Sequence, residues 1–166
     1  MTPLGTIPTV TLGFAPVGDD LYREIILDHY RHPRHRGEVD PADVTLEASN
    51  PLCGDELGLT LRLRDDRVED VGFTGIGCSI SQASASMMCE EICGLSRPEA
   101  LALAHRFRAM LLQGAAADDL GDLEALQGVQ QYPVRVKCAI LAWNALLQGL
   151  GSPTDSQDGS EVTSRG

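Results

Sequence analysis

Cationic side chains, aromatic rings and long apolar runs are all scarce in this sequence. The 166 residues include 13 Lys or Arg against 24 Asp or Glu, a formal net charge of -11. Nucleic-acid binding without sequence preference depends on cations that neutralise phosphates, so this balance argues against it. We expect protein partners instead. Lysine is the rarest cation, because Lys137 is the only one in the chain.

The sequence also shows no apolar run typical of a membrane-spanning segment and no pattern typical of an export signal. No apolar stretch approaches the roughly 20 residues that a bilayer helix needs, and the longest, 138–147, contains Asn144. Residues 1–18 hold no Lys or Arg and no clear signal-peptide core. We therefore expect a cytoplasmic protein. In such a reducing compartment its five cysteines should be free thiols, available for metal binding or catalysis.

The length indicates one compact domain between two tails. Residues 1–18 and 151–166 are rich in Gly, Pro, Ser and Thr without sustained periodicity, and we expect both to be mobile. The folded domain is predicted to span 19–150, a size that can bury a hydrophobic core.

Hydrophobic periodicity within 19–150 predicts an α+β fold. We expect a three-stranded antiparallel sheet packed with about five helices, the first of them lying on the sheet. Strands are predicted around 44–48, 57–63 and 71–73, with a turn at Asp65-Asp66. Helices are predicted from Asp19 or Asp20 to before Pro33, at 79–93, from a capping box at Ser96–Glu99, at 119–127 and at 134–148.

Three cysteines fall at the ends of predicted elements, where side chains from distant parts of the chain can converge. Cys53 lies in a turn with Asp55, Cys78 ends the third strand, and Cys138 lies early in the last helix. Three thiolates and one carboxylate are accepted zinc ligands and complete a tetrahedron. The chain has no CxxC pair, however, so three unrelated buried cysteines are an equally open interpretation. We expect Cys89 and Cys93, inside a helix, to pack in the core.

Charge supplies a second argument about these residues. Zinc with three thiolates and one carboxylate has a formal charge of about -2, which needs nearby cations in a partly dry site. Arg135 and Lys137 directly precede Cys138. They are candidates for that role, although a solvated lysine is an alternative interpretation of Lys137.

Histidines recur at three-residue steps near the end of the first helix, as His29, His32 and His35. Pro33 should end the helix, so we do not expect the three rings to share a face or bind a metal together. His29 is expected to pack on the sheet. The neighbouring arginines, Arg31, Arg34 and Arg36, form either a basic surface for a partner or an ordinary solvated one.

Several motifs occur together in an order that is typical of one family. They are Leu21-Tyr22-Arg23-Glu24, Asp28-His29-Tyr30, Pro33-Arg34, Gly37, Asn50-Pro51-Leu52-Cys53-Gly54-Asp55, Gly75-Ile76-Gly77-Cys78-Ser79-Ile80-Ser81 and Arg135-Val136-Lys137-Cys138. Over about 21–150 the sequence resembles the SufU branch of the IscU-like, NifU N-terminal-like proteins. IscU scaffolds place a histidine ligand where this chain has Lys137, and their stretch between the last two cysteines is shorter. Both differences favour the SufU branch.

The resemblance implies a zinc-dependent sulfurtransferase of iron-sulfur cluster assembly, with one zinc per chain held by Cys53, Asp55, Cys78 and Cys138. A SufS-like, pyridoxal-phosphate-dependent cysteine desulfurase would supply persulfide sulfur, and a downstream SUF assembly scaffold would receive it. By the same resemblance, Cys53 is the expected acceptor, released from zinc when a desulfurase histidine replaces it, and Cys138 is the alternative. Arg135 and Lys137 are expected to assist the transfer.

Two other functions stay open on the sequence. The same cysteines could hold a [2Fe-2S] cluster in a passive scaffold of the IscU type. They could also form a closed structural zinc site with no transfer chemistry.

Overall fold

The computed structural model describes residues 17–51, 54–116, 120–151 and 161–164. Its elements confirm the predicted α+β class, with a sheet and five helices. In chain order they are α1 Val17–Arg31, β1 Val44–Asn50, β2 Asp55–Arg64, β3 Arg67–Ile76, α2 Ser79–Ile92, α3 Arg97–Gln113, a 3-10 helix Gly121–Gln131, α4 Pro133–Gly149 and β4 Glu161–Ser164.

The three predicted strands form the antiparallel core of the sheet, whose order is β3-β2-β1-β4. The turn predicted at Asp65-Asp66 joins β2 to β3, and both residues have positive φ, 52° and 61°. Two successive positive φ angles are the conformation of the tight hairpin turn whose twist matches that of a β-ribbon. Aspartate tolerates this conformation better than most residues do.

A short fourth strand, β4, differs from the expectation of a mobile tail over 151–166. Its residues pair antiparallel with Leu46–Ser49 of β1. The four-residue segment contains a single apolar residue, Val162, so no alternation could reveal it. At the other end, α1 begins at Val17, inside the segment expected to be a tail.

The helices form one layer on the sheet and a second layer outside it. α4 packs on β1 and β2, and α2 packs on β3. α1 packs against α2 and the 3-10 helix, so the expectation that it lies on the sheet was wrong. His29, which was also expected to pack on the sheet, packs against α2 instead. It is buried, with Nδ1 2.8 Å from the Ser86 hydroxyl of α2. α1 is one of the elements that cover α2, which is buried along nearly its whole length.

The predicted helix boundaries between α2 and α3 are confirmed. Gly94, with φ of 94°, follows α2, as expected of a helix stop. Ser96 caps α3: its hydroxyl accepts a hydrogen bond from the Glu99 amide, and the Glu99 carboxylate accepts one from the Ser96 amide. None of the helices that the structure describes has the length and apolar character to cross a membrane.

A buried polar link joins α2 to α4. The Ser84 hydroxyl donates to the Ala139 carbonyl oxygen at 2.6 Å and accepts from the Trp143 indole nitrogen at 3.0 Å. Trp143 also stacks on Phe107 of α3, with ring centroids 4.4 Å apart. Cys78 lies at the start of α2 and Cys138 on α4, so this link fixes the spacing of the helices that carry them.

Replacing Ser84 by alanine should destabilise the protein. The variant leaves the Trp143 N–H and the Ala139 carbonyl buried without this partner, which costs about 1–3 kcal/mol of the free energy of unfolding. Urea denaturation measures the loss. In a Trp143→Phe background, Ser84→Ala should cost less, because the indole donor is already gone. An equal cost in both backgrounds would show that the indole–hydroxyl bond contributes nothing.

Candidate metal centre

Three of the four predicted ligands meet at one point. A carboxylate oxygen of Asp55 and the sulfurs of Cys78 and Cys138 all lie within 4.8 Å of one another. Asp55 is the first residue of β2, Cys78 is the residue before α2, and Cys138 lies in the second turn of α4. Cys53, the fourth predicted ligand, lies outside the described residues, two positions before Asp55 in the chain.

The carboxylate of Asp55 is almost fully buried and only half satisfied. Its Oδ1 accepts a hydrogen bond from the Cys78 amide at 3.0 Å. Its Oδ2 has no hydrogen-bond partner among the residues that the structure describes. An unpartnered buried carboxylate oxygen is costly, and a cation beside the two sulfurs would satisfy it.

Gly77 makes the close approach of Asp55 possible. A Cβ at this position would lie 2.6 Å from Oδ1 of Asp55 and would also clash with the Ser81 hydroxyl. Gly75, with φ of 124°, lets β3 pass close to the Glu56 carbonyl oxygen, a path that a side chain would block. The glycines of this segment therefore bring Cys78 against the carboxylate.

The surroundings of Cys78 favour the thiolate form of its side chain. A hydrogen bond from the Cys138 thiol, helped by the amides of Ser81 and Ile80 at the start of α2, lowers the pKa of Cys78 to about 5. Partial burial and the charge of Asp55 oppose this effect without overcoming it. Helix N-termini favour anions in this way. At neutral pH the site therefore already contains a thiolate next to a carboxylate.

The predicted cations lie on α4 beside the thiols. The negative charge of Cys78, ahead of the other causes, raises the pKa of Arg135, and Cys138 acts in the same direction. Arg135 is exposed to solvent. Lys137 is half-buried, one residue before Cys138.

Asn50 is a site residue whose role the sequence analysis did not identify. It is fully buried at the end of β1, and its side-chain nitrogen lies 4.0 Å from the Cys138 sulfur. Cys138 also lies 3.5 Å from the Val134 carbonyl oxygen. The signal was present, since Asn50 opens the motif that contains Cys53 and Asp55. The Asn50 amide is in position to donate to the Cys138 sulfur.

The donor set fits a zinc ion. Two sulfurs and a carboxylate oxygen are typical zinc ligands, whereas magnesium and calcium prefer oxygen alone. Tetrahedral bonds of about 2.0–2.3 Å separate ligand atoms by about 3.3–3.8 Å, so the three atoms within 4.8 Å need only a small contraction. The unpartnered Oδ2 of Asp55 points to the same conclusion.

A groove of about 870 Å³ opens next to the centre, between α1, the 3-10 helix and the first turns of α2 and α4. Its walls include Tyr22, Ile26, Ile80, Tyr132 and Arg135. Large apolar side chains are exposed nearby in the sequence as well, at Ile76, Tyr132 and Val134. Exposed apolar groups around a polar centre are typical of a surface that another protein covers.

Two of the three arginines that the sequence offered as a partner surface make contacts within the chain. Arg34 pairs with Asp28 at 2.6 Å. Arg36 donates to the Gln82 side chain and the Gly75 carbonyl and lies over the Phe73 ring. A partner that used Arg34 or Arg36 would therefore compete with these internal contacts.

Comparison with known proteins gives a family model and relatives that agree with one another. Residues 21–151 match the family model described as the NifU-like N-terminal domain. The chain is 48% identical over 135 residues to the zinc-dependent sulfurtransferase SufU of Bacillus subtilis, covering 80% of this chain and 90% of the relative. It is 41% identical over 139 residues to the iron-sulfur cluster assembly scaffold protein IscU of Streptococcus pyogenes, covering 82% and 87%.

A solved structure agrees with these sequence relatives. It is a crystal structure titled putative iron-sulfur cluster assembly scaffold protein for the SUF system, from Fervidobacterium islandicum. It superposes with a TM-score of 0.74 at 36% identity, over 77% of this chain and 95% of that one.

Gly77→Ala should weaken metal binding. The new methyl group displaces the Asp55 carboxylate or the Ser81 hydroxyl, and such displacement of a ligand's support costs about 10- to 100-fold in affinity. Competition with a chromophoric zinc chelator measures the change. Gly128→Ala is the matched control, because a Cβ there meets nothing within 4 Å. Equal zinc affinity in the two variants would contradict the role given to Gly77.

Proposed function

This chain belongs to the family of NifU-like N-terminal domains, and we propose that it is a zinc-dependent sulfur carrier for iron-sulfur cluster assembly. In this role it accepts persulfide sulfur from a pyridoxal-phosphate-dependent cysteine desulfurase. The observation that carries the proposal is the cluster of Asp55, Cys78 and Cys138 with its unpartnered buried carboxylate oxygen. The 48% identity to a zinc-dependent sulfurtransferase supports it.

Cys53 completes the proposed ligand set. It precedes Asp55 by two residues in the β1–β2 connection, whose ends are held together by the Gly54 amide and the Asn50 carbonyl at 2.9 Å. Cys53, Asp55, Cys78 and Cys138 would then hold one zinc ion. When bound, zinc keeps thiols deprotonated at neutral pH and restrains their reactivity. Gly54 has φ of 73°, a conformation that glycine adopts without cost.

The sulfur transfer itself is a thiol–persulfide exchange. The Cys53 thiolate attacks the outer sulfur of the desulfurase persulfide, forming a new sulfur–sulfur bond. The original bond breaks, and its electron pair leaves with the desulfurase cysteine as a thiolate. The product is a persulfide on Cys53, so sulfur changes carrier without net oxidation or reduction. Cys138 is the alternative acceptor.

Positive charge is the second contribution of the chain. The Arg135 guanidinium interacts electrostatically with Cys78 and Cys138 and offsets part of the formal negative charge of the centre. A persulfide is also an anion at neutral pH, so Arg135, exposed at the rim, would attract and orient it. We assign Lys137, half-buried beside Cys138, a similar supporting role.

The groove next to the centre is the proposed docking surface for the desulfurase. It brings apolar side chains, Tyr22, Ile26 and Tyr132, and the cation Arg135 to the edge of the metal site. A partner that covers it would exclude water from the exchanging sulfurs. The net charge of -11 favours a partner with a basic face.

An iron-sulfur scaffold is the second candidate function, because relatives at 41% identity have that name. The same thiols would then bind a [2Fe-2S] cluster. The transfer of sulfur to this chain would then be only one step in building that cluster. Because a scaffold would contain iron and a sulfur carrier zinc, the metal content distinguishes the two functions.

The first test measures metal content, visible spectrum and effect on a cysteine desulfurase in one sample. We expect about one zinc per chain, no colour, and faster desulfurase turnover than with free thiol alone. Removal of zinc by a chelator should abolish the gain, and added zinc should restore it. A brown, iron-containing protein that leaves turnover unchanged would support the scaffold. A zinc protein without any effect would support an inert structural site.

The same assay identifies the acceptor thiol. Cys53→Ala should lose the gain in turnover and the trapped persulfide, and Cys89→Ala, a change in the core away from the centre, should keep both. Transfer that survives in Cys53→Ala but not in Cys138→Ala would move the acceptor role to Cys138.

Arg135→Gln should slow sulfur transfer about tenfold while zinc remains bound, because one exposed, charge-assisted contact to the sulfurs is lost. Arg135→Lys should recover part of the rate, and added salt should reduce the difference between variants. Single-turnover transfer from the persulfide-loaded desulfurase measures this. Arg106→Gln, an exposed arginine of α3, is the control. A normal rate in Arg135→Gln would remove Arg135 from the mechanism.

A further inference from the structure

A second group of possible metal ligands lies at the opposite end of α2. A ring nitrogen of His35, a carboxylate oxygen of Asp70 and the sulfur of Cys93 all lie within 4.8 Å of one another. All three residues are half-buried. Cys78 precedes α2 and Cys93 follows it. At 1.5 Å per residue the helix therefore separates the two groups by about 22 Å.

Backbone hydrogen bonds hold all three residues to the same strand. His35 lies in a segment bound to Phe73 of β3, through the Phe73 amide to the His35 carbonyl at 3.0 Å and the Gly37 amide to the Phe73 carbonyl at 2.7 Å. Asp70 is itself part of β3. The turn after Cys93 is tied to Val68 by two further bonds of 2.8 Å, from the Gly94 amide and to the Leu95 carbonyl. The cluster is therefore built on rigid backbone.

The histidine ring is also oriented by the main chain. Its Nδ1 lies 3.0 Å from the Val71 carbonyl oxygen, which can only accept a hydrogen bond. In the tautomer that makes this bond, Nδ1 carries the proton and Nε2 carries the lone pair. A backbone carbonyl that fixes the tautomer in this way is the usual support of a metal-binding histidine.

Asp70 and Cys93 supply the charge that a cation needs. One oxygen of Asp70 accepts from the Val71 amide at 2.9 Å, and the other lies 3.4 Å from Arg62. That long, half-exposed pair is weak and would yield to a divalent ion. A thiolate, a carboxylate and a neutral imidazole around a 2+ ion sum to zero charge, unlike the centre at the other end of α2. A neutral site needs no further cations.

We propose that His35, Asp70 and Cys93 form a second site that binds a divalent transition metal ion such as Zn²⁺. The nitrogen, oxygen and sulfur donors suit zinc and its analogue Co²⁺ better than magnesium or calcium. Three protein ligands leave a fourth tetrahedral position for water or another small ligand. Binding releases the Cys93 thiol proton to solvent. The site does not depend on the sulfur-carrier function, because it shares no ligand with the first centre.

Equilibrium dialysis of the full-length protein against Co²⁺, followed by metal analysis and absorption spectroscopy, tests the proposal. We expect wild type to bind about one equivalent more than each of His35→Asn, Asp70→Asn and Cys93→Ser. In Cys93→Ser, the loss of this equivalent of cobalt should be accompanied by the loss of a sulfur-to-cobalt charge-transfer band. His35→Asn is chosen because His35 has φ of 63°, which asparagine tolerates. Asp70→Asn keeps an acceptor for the Val71 amide.

Matched controls separate this site from adventitious binding and from the first centre. His105→Gln removes an exposed histidine of α3 and should bind as much cobalt as wild type. Cys138→Ser should keep the equivalent that the cluster variants lose, whatever happens at its own centre. The proposal is overturned if the three cluster variants bind as much cobalt as wild type. It is equally overturned if His105→Gln loses the same amount.

Discussion

The convergence of negative groups at the candidate metal centre is the constraint on which the rest of this structure depends. Asp55, Cys78 and Cys138 come from a strand and two helices that are far apart in sequence, and their donor atoms nevertheless meet within 4.8 Å. Bringing together groups that repel one another when ionised costs free energy. Hydrogen-bond donors or cations nearby must offset that cost. Here an amide, a helix N-terminus and a guanidinium each contribute, and the unpartnered oxygen of Asp55 marks the part that a metal ion would complete.

The fold provides this arrangement by fixing α2 and α4 on one sheet. The Ser84–Trp143 link and the stack of Trp143 on Phe107 hold the middle of the helices together. The first residues of α2 and the early turns of α4 then reach the same end of the sheet, where β2 begins. In the proposed exchange chemistry, some ligands stay fixed while another one reacts. A rigid core keeps Cys78 and Cys138 in place, while the acceptor thiol that we propose belongs to a connection between strands.

Much of this could be predicted from the sequence because local signals and the global fold agree. Alternation in β1 to β3, the capping box at Ser96 and the glycine after α2 each depend on neighbours in the chain, and each was confirmed. Cys78 and Cys138 were singled out because they fall at element ends. Cys89 is buried in the core, as expected. The family model and the relatives agree with the resemblance that the motifs carried.

The features that sequence reasoning missed are those that depend on which element packs on which. β4 has too little periodicity to be seen. The packing of α1 on α2 was missed because the faces of a buried helix are not distinguishable by pattern. Cys93 was expected in the core with Cys89. It packs only at the core's edge, because it lies just past the end of α2, where the sulfur meets His35 and Asp70.

Proximity of that kind arises from two backbone segments tied to β3, which itself carries Asp70, and no spacing rule in the sequence describes it. His35 illustrates the consequence. Its three-residue spacing from His29 and His32 suggested a shared face that Pro33 prevents. The chain turn after Pro33 instead carries the ring to β3 and to a carboxylate and a thiol from elsewhere in the sequence. A helix with a cysteine at each end thus has a cluster of metal-binding groups at each end, and only the one with a net negative charge requires cations such as Arg135 from the surrounding chain.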